Sequence, residues 1–260
     1  MKTKNDEIID LFEKDLAKMY KSSPRHEQVQ MAVDIHSYID DCSSSGFKHN
    51  KVLFAEAPVG TGKSLGALIP GLMATKNSLG SYKGMVYATA TIGLQSQLWY
   101  EEQETLIELG LLTKNEAVLA MGRNNTACQK QFIKNKKIFS LEEINLLESF
   151  FTNTVTGLKD ELIKEFGFNI SSTKWQKLQI PRGKDYPCEC AGHKYRKNLK
   201  KNSRLTLTNQ QQLLAAYTTT FSGSGFQPII NLENKIIVID EAHELQSNFL
   251  EAQTKKLSLI

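Results

Sequence analysis

Residues 51–64 read KVLFAEAPVGTGKS, and this stretch predicts the fold of the chain around it. The apolar run KVLFAEA stops at Pro58 and is followed by two glycines. This pattern predicts a buried strand over residues 51–57, a tight loop, and a helix that begins near Lys63. Residues 57–64 fit the Walker A pattern with alanine at its first position. The alternative is a glycine-rich turn that fits the pattern by chance.

A loop of this kind binds phosphate mainly through its backbone. Glycines let successive N–H groups point inward at phosphate oxygens, and the following helix adds the dipole of its N-terminus. Lys63 is long enough to reach the β- and γ-phosphates, and the Ser64 hydroxyl can bind Mg²⁺. The sequence therefore predicts that Gly60, Thr61, Gly62, Lys63 and Ser64 bind a nucleotide, with ATP and Mg²⁺ as ligands.

A second motif, DEAH at residues 240–243, directly follows the apolar run KIIVI. In a parallel sheet the carboxyl ends of the strands face the ligand crevice, so we expect Asp240 to lie at the same edge as the phosphate loop. An aspartate in this position can hold Mg²⁺ through water, and Glu241 is placed to polarise an attacking water. Lys63, Asp240 and Glu241 are thus the predicted catalytic residues.

Apolar periodicity elsewhere predicts helices alternating with strands. Helices are expected near residues 2–20, 26–40, 94–109, 211–217 and 243–253, and strands over 84–91, 117–121, 204–208 and 235–240. This alternation indicates an α/β fold with a mainly parallel sheet. Residues 122–203 are rich in Lys and Asn, carry helix-capping signals and show no strong strand. We therefore predict three segments: residues 1–121, a helical, Cys-containing insertion over 122–203, and a continuation of the first segment over 204–260.

Composition and charge narrow the class of protein. The chain has 260 residues, 40% hydrophobic and 23% charged, which is typical of a globular protein and excludes disordered and fibrous classes. The opening residues MKTKNDEIID lack the apolar core of a secretion signal, and no apolar run approaches the roughly 18 residues of a membrane span. A cytoplasmic protein with no membrane partner is expected.

Positive charge is concentrated in one window. Residues 182–204 carry eight Lys or Arg and two acidic residues, a net charge of +6, whereas the whole chain has +4. Cations neutralise phosphates, and Tyr195 among them can stack on an unpaired base. The window predicts a single-stranded DNA contact; a solvated helix is the alternative. The predicted DNA-contacting residues here are Lys194, Arg196, Lys197, Lys200 and Lys201.

Three segments together, EAPVGTGKS, ATATIGLQSQL and VIDEAHEL, resemble motifs I, Ia and II of superfamily 2 helicases. Residues 20–31 (YKSSPRHEQVQM) are similar to the Q motif of the DinG and XPD group within that superfamily. MGRNNTAC and LTLTNQQQLL resemble the segments that flank the group's iron–sulfur domain. The resemblance covers about residues 20–250, almost the whole chain.

The resemblance implies a RecA-like P-loop NTPase lobe and an ATP-dependent 5′→3′ DNA helicase activity. It implies that Gln28 reads the adenine edge, that Arg25 sits beside the base, and that Thr89 and Gln95 contact the backbone of single-stranded DNA. Exposed or capping roles are the alternatives for these four residues.

In the resembled group, four cysteines bind a 4Fe–4S cluster. Cys128 matches the first and Cys190 the last, while Cys188 lies closer to Cys190 than the group's spacing and a fourth thiolate is missing. His193 can substitute, because imidazole ligands occur in some clusters and also suit Zn²⁺. Three alternatives stay open: a metal-free remnant, as in variants associated with CRISPR systems, an iron–sulfur cluster with an unusual ligand, and a zinc site.

A helicase needs two RecA-like lobes, the second of which supplies an arginine finger. After His243 only 17 residues remain, and no arginine follows Arg204. We expect the chain to be one motor lobe whose partner lobe is in the same full-length protein or is supplied in trans, with little activity alone. The main alternative is a non-catalytic module that binds nucleic acid or a partner. A P-loop kinase is disfavoured by the Q motif and by the DEAH motif.

Overall fold

The computed structural model describes residues 3–44, 51–76, 82–181, 188–199, 201, 203–221 and 228–253. Within these residues the fold is α/β, with a sheet of four parallel strands in the order β2-β3-β1-β4. The strands are β1 (Gly84–Thr89), β2 (Ala117–Leu119), β3 (Leu205–Asn209) and β4 (Lys235–Ile239). The predictions of strands over 84–91, 117–121, 204–208 and 235–240 are confirmed.

Helices cover both faces of the sheet and build the insertion. Those outside the insertion are α1 (Lys4–Asp10), α2 (Ala17–Tyr20), α3 (His26–Ser44), α4 (Lys63–Ala74), α5 (Ile92–Glu108), α11 (Gln210–Phe221) and α12 (Leu245–Gln253). A π-helical turn, Leu11–Leu16, joins α1 to α2. The helices inside the insertion are α6 (Gln129–Asn135), α7 (Leu141–Asn153), α8 (Lys159–Lys164), α9 (Ser172–Leu178) and α10 (Ala191–Asn198).

Successive side chains of β1 point to opposite faces of the sheet, so the core consists of two layers. Met85 and Tyr87 pack on one face with residues of α4 such as Leu68, whereas Val86 and Ala88 pack on the other face with α11. All six residues of β1 are buried, as expected for the central strand of a parallel sheet that is covered on both sides. No helix in the described part of the chain is both long and apolar enough to cross a membrane.

The predicted strand over residues 51–57 is wrong for this structure. The segment belongs to no strand, and its apolar side chains are exposed, with Val52 71% and Phe54 87% accessible. A strand exists only through the hydrogen-bonded ladder that it forms with a neighbour. Apolar composition cannot supply that partner, and no described strand pairs with this segment.

The insertion has a core of its own, built from aromatic and aliphatic side chains. Phe132, Leu147, Phe150 and Trp175 are among the buried members of this cluster. Helices α6 to α9 contribute residues to this core, and among the described residues the insertion has two isolated antiparallel bridges, Thr126 with Leu158 and Ala127 with Gln179. The bridges tie the start of the insertion to residues 158 and 179, which lie in its middle and its second half.

Glu161 in α8 binds the loop that precedes this helix. The carboxylate is buried and accepts hydrogen bonds from the Thr154 hydroxyl at 2.6 Å, from the Val155 N–H at 2.8 Å and from the Thr156 N–H at 3.0 Å. The Thr156 hydroxyl donates to it as well. One side chain therefore accepts hydrogen bonds from four donors in this loop.

We predict that Glu161→Ala lowers the free energy of unfolding by about 3 kcal/mol, because it leaves buried donors without an acceptor. Urea denaturation monitored by circular dichroism measures the change. Glu148→Ala is the matched control in the same insertion, since Glu148 forms only an exposed ion pair with Lys136; we expect a change within about 0.5 kcal/mol. Equal effects of the two substitutions would contradict the role of Glu161.

Candidate nucleotide site and cysteine–histidine cluster

The glycine-rich loop adopts a backbone that requires its glycines. Gly60 and Gly62 have φ values of +83° and +79°, in the left-handed region that residues with a Cβ rarely adopt. Gly62 directly precedes α4, so the first N–H groups of that helix open into the loop. The Thr61 hydroxyl donates to the Pro58 carbonyl at 2.8 Å and closes the turn.

Residues from the start of α3 pack against this loop. The Gln28 side-chain amide donates to the Gly62 carbonyl at 2.9 Å. A Cβ on Gly62 would collide with this amide, and a Cβ on Gly60 would lie 3.5 Å from Nη1 of Arg25. The structure thus brings Arg25 and Gln28 together with the loop, as the resemblance implies, but it uses the Gln28 donor on the loop itself. Their roles at an adenine base remain predictions.

The acidic motif lies at the carboxyl edge of the sheet, beside the loop. The Asp240 N–H donates to the Ala88 carbonyl at 2.9 Å, which extends the pairing of β4 with β1 by one residue. Glu241 then adopts a left-handed conformation with φ +50°. The Lys63 ammonium lies 3.4 Å from Oε1 of Glu241, and about a third of each side chain is exposed. Residues 178 positions apart therefore meet at one point.

Two residues that the sequence analysis did not single out support this edge. Tyr87 in β1 is buried, and its hydroxyl interacts with both Ser64 and Asp240. The Gln210 side-chain amide donates to the Asp240 carbonyl at 2.8 Å and to the Glu241 carbonyl at 3.1 Å, which holds the turn after β4. The sequence feature that could have identified Tyr87 is its hydroxyl group, which lies within a strand of mainly apolar residues.

Burial controls the electrostatics of the site. Desolvation is the main cause that raises the pKa of Asp240, and the neighbouring charge of Glu241 raises it further. Desolvation also raises the pKa of Tyr87, next to Asp240, so the phenol remains protonated. A carboxylate whose charge is disfavoured in this way gains from a nearby cation. Ser64 and Asp240 therefore offer a hydroxyl and a carboxylate oxygen of the kind that Mg²⁺ prefers.

The predicted DNA contacts of Thr89 and Gln95 are corrected by the structure. Gln95 is fully buried: its amide donates to the Ala120 and Leu207 carbonyls at 3.1 and 3.2 Å, and its carbonyl oxygen accepts from Asn209 at 3.0 Å. The Thr89 hydroxyl is buried and donates to the Thr91 carbonyl at 2.8 Å. Both side chains hold the ends of strands and are inaccessible to a ligand at the surface.

The basic window divides into an outward-facing and an inward-facing set. The side chains of Lys194, Lys197 and Lys201 are exposed, whereas Arg196 donates to the Met121 carbonyl at 3.0 Å and burial lowers its pKa to about 10. Tyr195 is also turned inward, since its hydroxyl accepts from the Leu119 N–H and donates to the Leu119 carbonyl. Lys200 lies outside the described residues.

Three cysteines and one histidine converge at the base of the insertion. Cys128, Cys188 and Cys190 are buried, and their sulfurs lie with a ring nitrogen of His193 so that the four ligand atoms are all within 4.8 Å of one another. Sγ of Cys128 is 3.7 Å from Sγ of Cys188, and Sγ of Cys190 is 3.3 Å from Nδ1 of His193. This group can hold a metal ion, in agreement with the predicted metal-binding residues.

Gly192 permits this convergence by close packing. A Cβ at Gly192 would collide with the Ala127 carbonyl oxygen, so only glycine lets the first turn of α10 approach the residue before Cys128. Hydrogen bonds from the Cys128 thiol and from backbone N–H groups, including that of His193, lower the pKa of Cys190. The same contact raises the pKa of Cys128. A thiolate is the form of cysteine that binds metals.

Comparison of the sequence with models of known protein families found no match, and comparison with curated proteins found none. The arrangement of the described residues and the resemblance of their motifs are therefore the grounds for a functional proposal.

We predict that Gln95→Ala lowers the free energy of unfolding by about 3 kcal/mol, because the carbonyls of Ala120 and Leu207 and the Asn209 amide lose a buried partner. Gln97→Ala, on the exposed side of the same helix, is the control and changes it by at most about 0.5 kcal/mol. Thermal or urea unfolding measures both. If Gln95→Ala were as stable as the control but bound single-stranded DNA more weakly, the result would support the predicted DNA contact of Gln95.

Proposed function

We propose that the chain is the nucleotide-binding, RecA-like lobe of an ATP-dependent DNA helicase of the DinG and XPD type. The observation that carries the proposal is the Lys63–Glu241 contact of 3.4 Å. It brings together the lysine of the glycine-rich loop and the second acid of the DEAH motif, which lie 178 positions apart in the chain.

Further contacts support ATP as the ligand of this site. Lys63 and the N-terminus of α4 provide positive charge for the β- and γ-phosphates. Ser64 and Asp240, both in contact with Tyr87, are the residues that would hold Mg²⁺. When bound, Mg²⁺ would offset the negative charge that develops on the phosphate oxygens during hydrolysis. Arg25 and Gln28 border the loop on the side where a base could lie.

Each acidic residue then has a distinct role in hydrolysis. Asp240 would hold the cation, whereas the Glu241 carboxylate, with about a third of its side chain exposed, orients a water for attack on the γ-phosphate. A γ-phosphate in the loop competes with Glu241 for the Lys63 ammonium. Phosphate binding therefore releases the Glu241 carboxylate from Lys63. Glu241 then becomes available to act on water only when the loop holds a phosphate.

A complete motor requires a second RecA-like lobe, supplied by the same full-length protein or in trans, because an arginine finger contributes about 10³–10⁵ in rate. We propose single-stranded DNA as the other ligand of the lobe, bound at the exposed lysines of the insertion. The 5′→3′ direction follows from the resemblance alone.

We predict that Lys63→Ala abolishes Mg²⁺-dependent ATP binding and lowers DNA-stimulated hydrolysis by about 100-fold or more, because it removes the cation that meets the phosphates. Equilibrium titration with a fluorescent ATP analogue measures binding. Lys76→Ala is the control, since Lys76 is an exposed lysine just after the same helix. No Mg²⁺-dependent binding by the native chain, or equal binding by Lys63→Ala, would contradict the proposal.

Glu241→Gln separates catalysis from binding. The variant is expected to bind ATP as well as the native chain, or more tightly, because Lys63 is no longer paired with a carboxylate. Hydrolysis, measured with single-stranded DNA and a candidate second lobe, should fall by about 100-fold. A native chain that binds ATP but shows no stimulated hydrolysis in that mixture would favour the non-catalytic binding module.

Replacement of Lys194, Lys197 and Lys201 by Glu is expected to weaken binding of single-stranded DNA strongly at low salt. Each lysine that neutralises a phosphate adds about 0.7 to the slope of log affinity against log salt, so the slope should fall by up to about 2. The same charge change at Lys134, Lys137 and Lys164, exposed lysines elsewhere on the insertion, is the control. Equal losses in the two triple variants would indicate a general charge effect and no local DNA site.

A further inference from the structure

The cysteine–histidine cluster lies in the insertion, and its residues take no part in the contacts of the phosphate loop. Its ligand set differs from the four thiolates that the helicase resemblance implies, because the fourth group is the imidazole of His193. No other described cysteine lies near enough to replace it, and Cys42 is on α3. The residues present therefore do not fit the usual all-thiolate ligation of a 4Fe–4S cluster.

The distances between ligand atoms match a single ion better than a cluster. Around one tetrahedral Zn²⁺, two thiolate sulfurs lie about 3.8 Å apart, and a sulfur and an imidazole nitrogen about 3.6 Å apart. The structure has 3.7 Å for Cys128 and Cys188, and 3.3 Å for Cys190 and His193. A cubane cluster binds each sulfur at a different iron and keeps the sulfurs farther apart than the ligands of one ion.

We propose that Cys128, Cys188, Cys190 and His193 form a structural site for one zinc ion. Four protein ligands fill a tetrahedral shell and leave no position for water or substrate, as in structural rather than catalytic zinc sites. The three sulfurs are buried, and Ile180 packs beside them, so the ion would be shielded from solvent. The proposal does not depend on the function of the phosphate loop.

A zinc ion at this position joins the two ends of the insertion. Cys128 lies shortly after β2, while Cys188 is 60 residues later and leads into α10. From α10, Tyr195 reaches back to Leu119 in β2 and Arg196 to Met121. The ion therefore fixes α10, with its exposed lysines, on the edge of the sheet.

Metal analysis of the whole chain, purified without oxygen and without a metal-affinity column, tests the proposal directly. We expect one zinc per chain, and neither iron nor acid-labile sulfide. Replacement of zinc by Co²⁺ should give the visible absorption of tetrahedral thiolate coordination. Four irons with sulfide would establish a cluster, and a folded chain that binds no zinc even when zinc is supplied would establish a metal-free remnant. A Cys128–Cys188 disulfide in unreduced protein without metal would also overturn the proposal.

Variants identify the ligands. Cys128→Ser and His193→Ala are expected to lose bound zinc, and removal of zinc from the native chain by a chelator should lower Tm by about 5 °C or more. His193→Cys supplies a fourth thiolate and should retain one zinc, which keeps the test valid if the other variants fold poorly. Cys42→Ser is the matched control and should retain zinc. Retention of zinc by both Cys128→Ser and His193→Ala would show that the metal lies elsewhere.

ATP binding distinguishes this proposal from the one for the phosphate loop. Lys63→Ala should lose ATP and retain zinc, whereas His193→Cys should retain both. A loss of zinc in Lys63→Ala would contradict the independence of the two sites.

Discussion

The parallel pairing of β1 with both β3 and β4 is the constraint on which the candidate site depends. The register places Thr89 opposite Asn209 and Ala88 opposite Ile239, so the three strands end at one edge of the sheet. The residues that follow these ends are therefore neighbours, whatever their distance along the chain. Asp240 is the next residue after β4, and its N–H still pairs with β1. A shift of this register by one residue would move Tyr87 to the opposite face, away from Ser64 and Asp240.

The same sheet explains why a long insertion can form a cluster at its base. The insertion leaves after β2 and returns into β3, and these two strands are directly paired. Its two ends therefore begin as neighbours, which places Cys128 near the Cys188–Cys190 pair before any ligand is considered. Close packing of Gly192 on Ala127 then brings α10 within reach. The cluster and the candidate nucleotide site thus both depend on the order of the strands.

Local patterns predicted the four strands and most helices, because apolar periodicity and capping residues act over short distances. The capping box of Ser140 and Glu143 is one example, and both of its hydrogen bonds are present at the start of α7. Prediction failed where a partner was needed. Residues 51–57 have the composition of a strand but no described ladder, and Gln95 has the polarity of a surface residue but its hydrogen-bonding partners lie inside the protein. Tyr87 and Gln210 were missed because their roles come from contacts with distant residues.

The sequence by itself determined the candidate residues: the glycines and Lys63 of the glycine-rich loop, the acids that follow KIIVI, the concentrated lysines, and the three cysteines with His193. These follow from side-chain type and local spacing. Only the tertiary structure decided that Lys63 meets Glu241, that Gln28 binds the loop backbone, that Arg196 points inward, and that His193 completes a group of four ligand atoms. Each of these depends on contacts between residues far apart in the chain. Strand order and close packing set these contacts, so no single stretch of sequence can predict them.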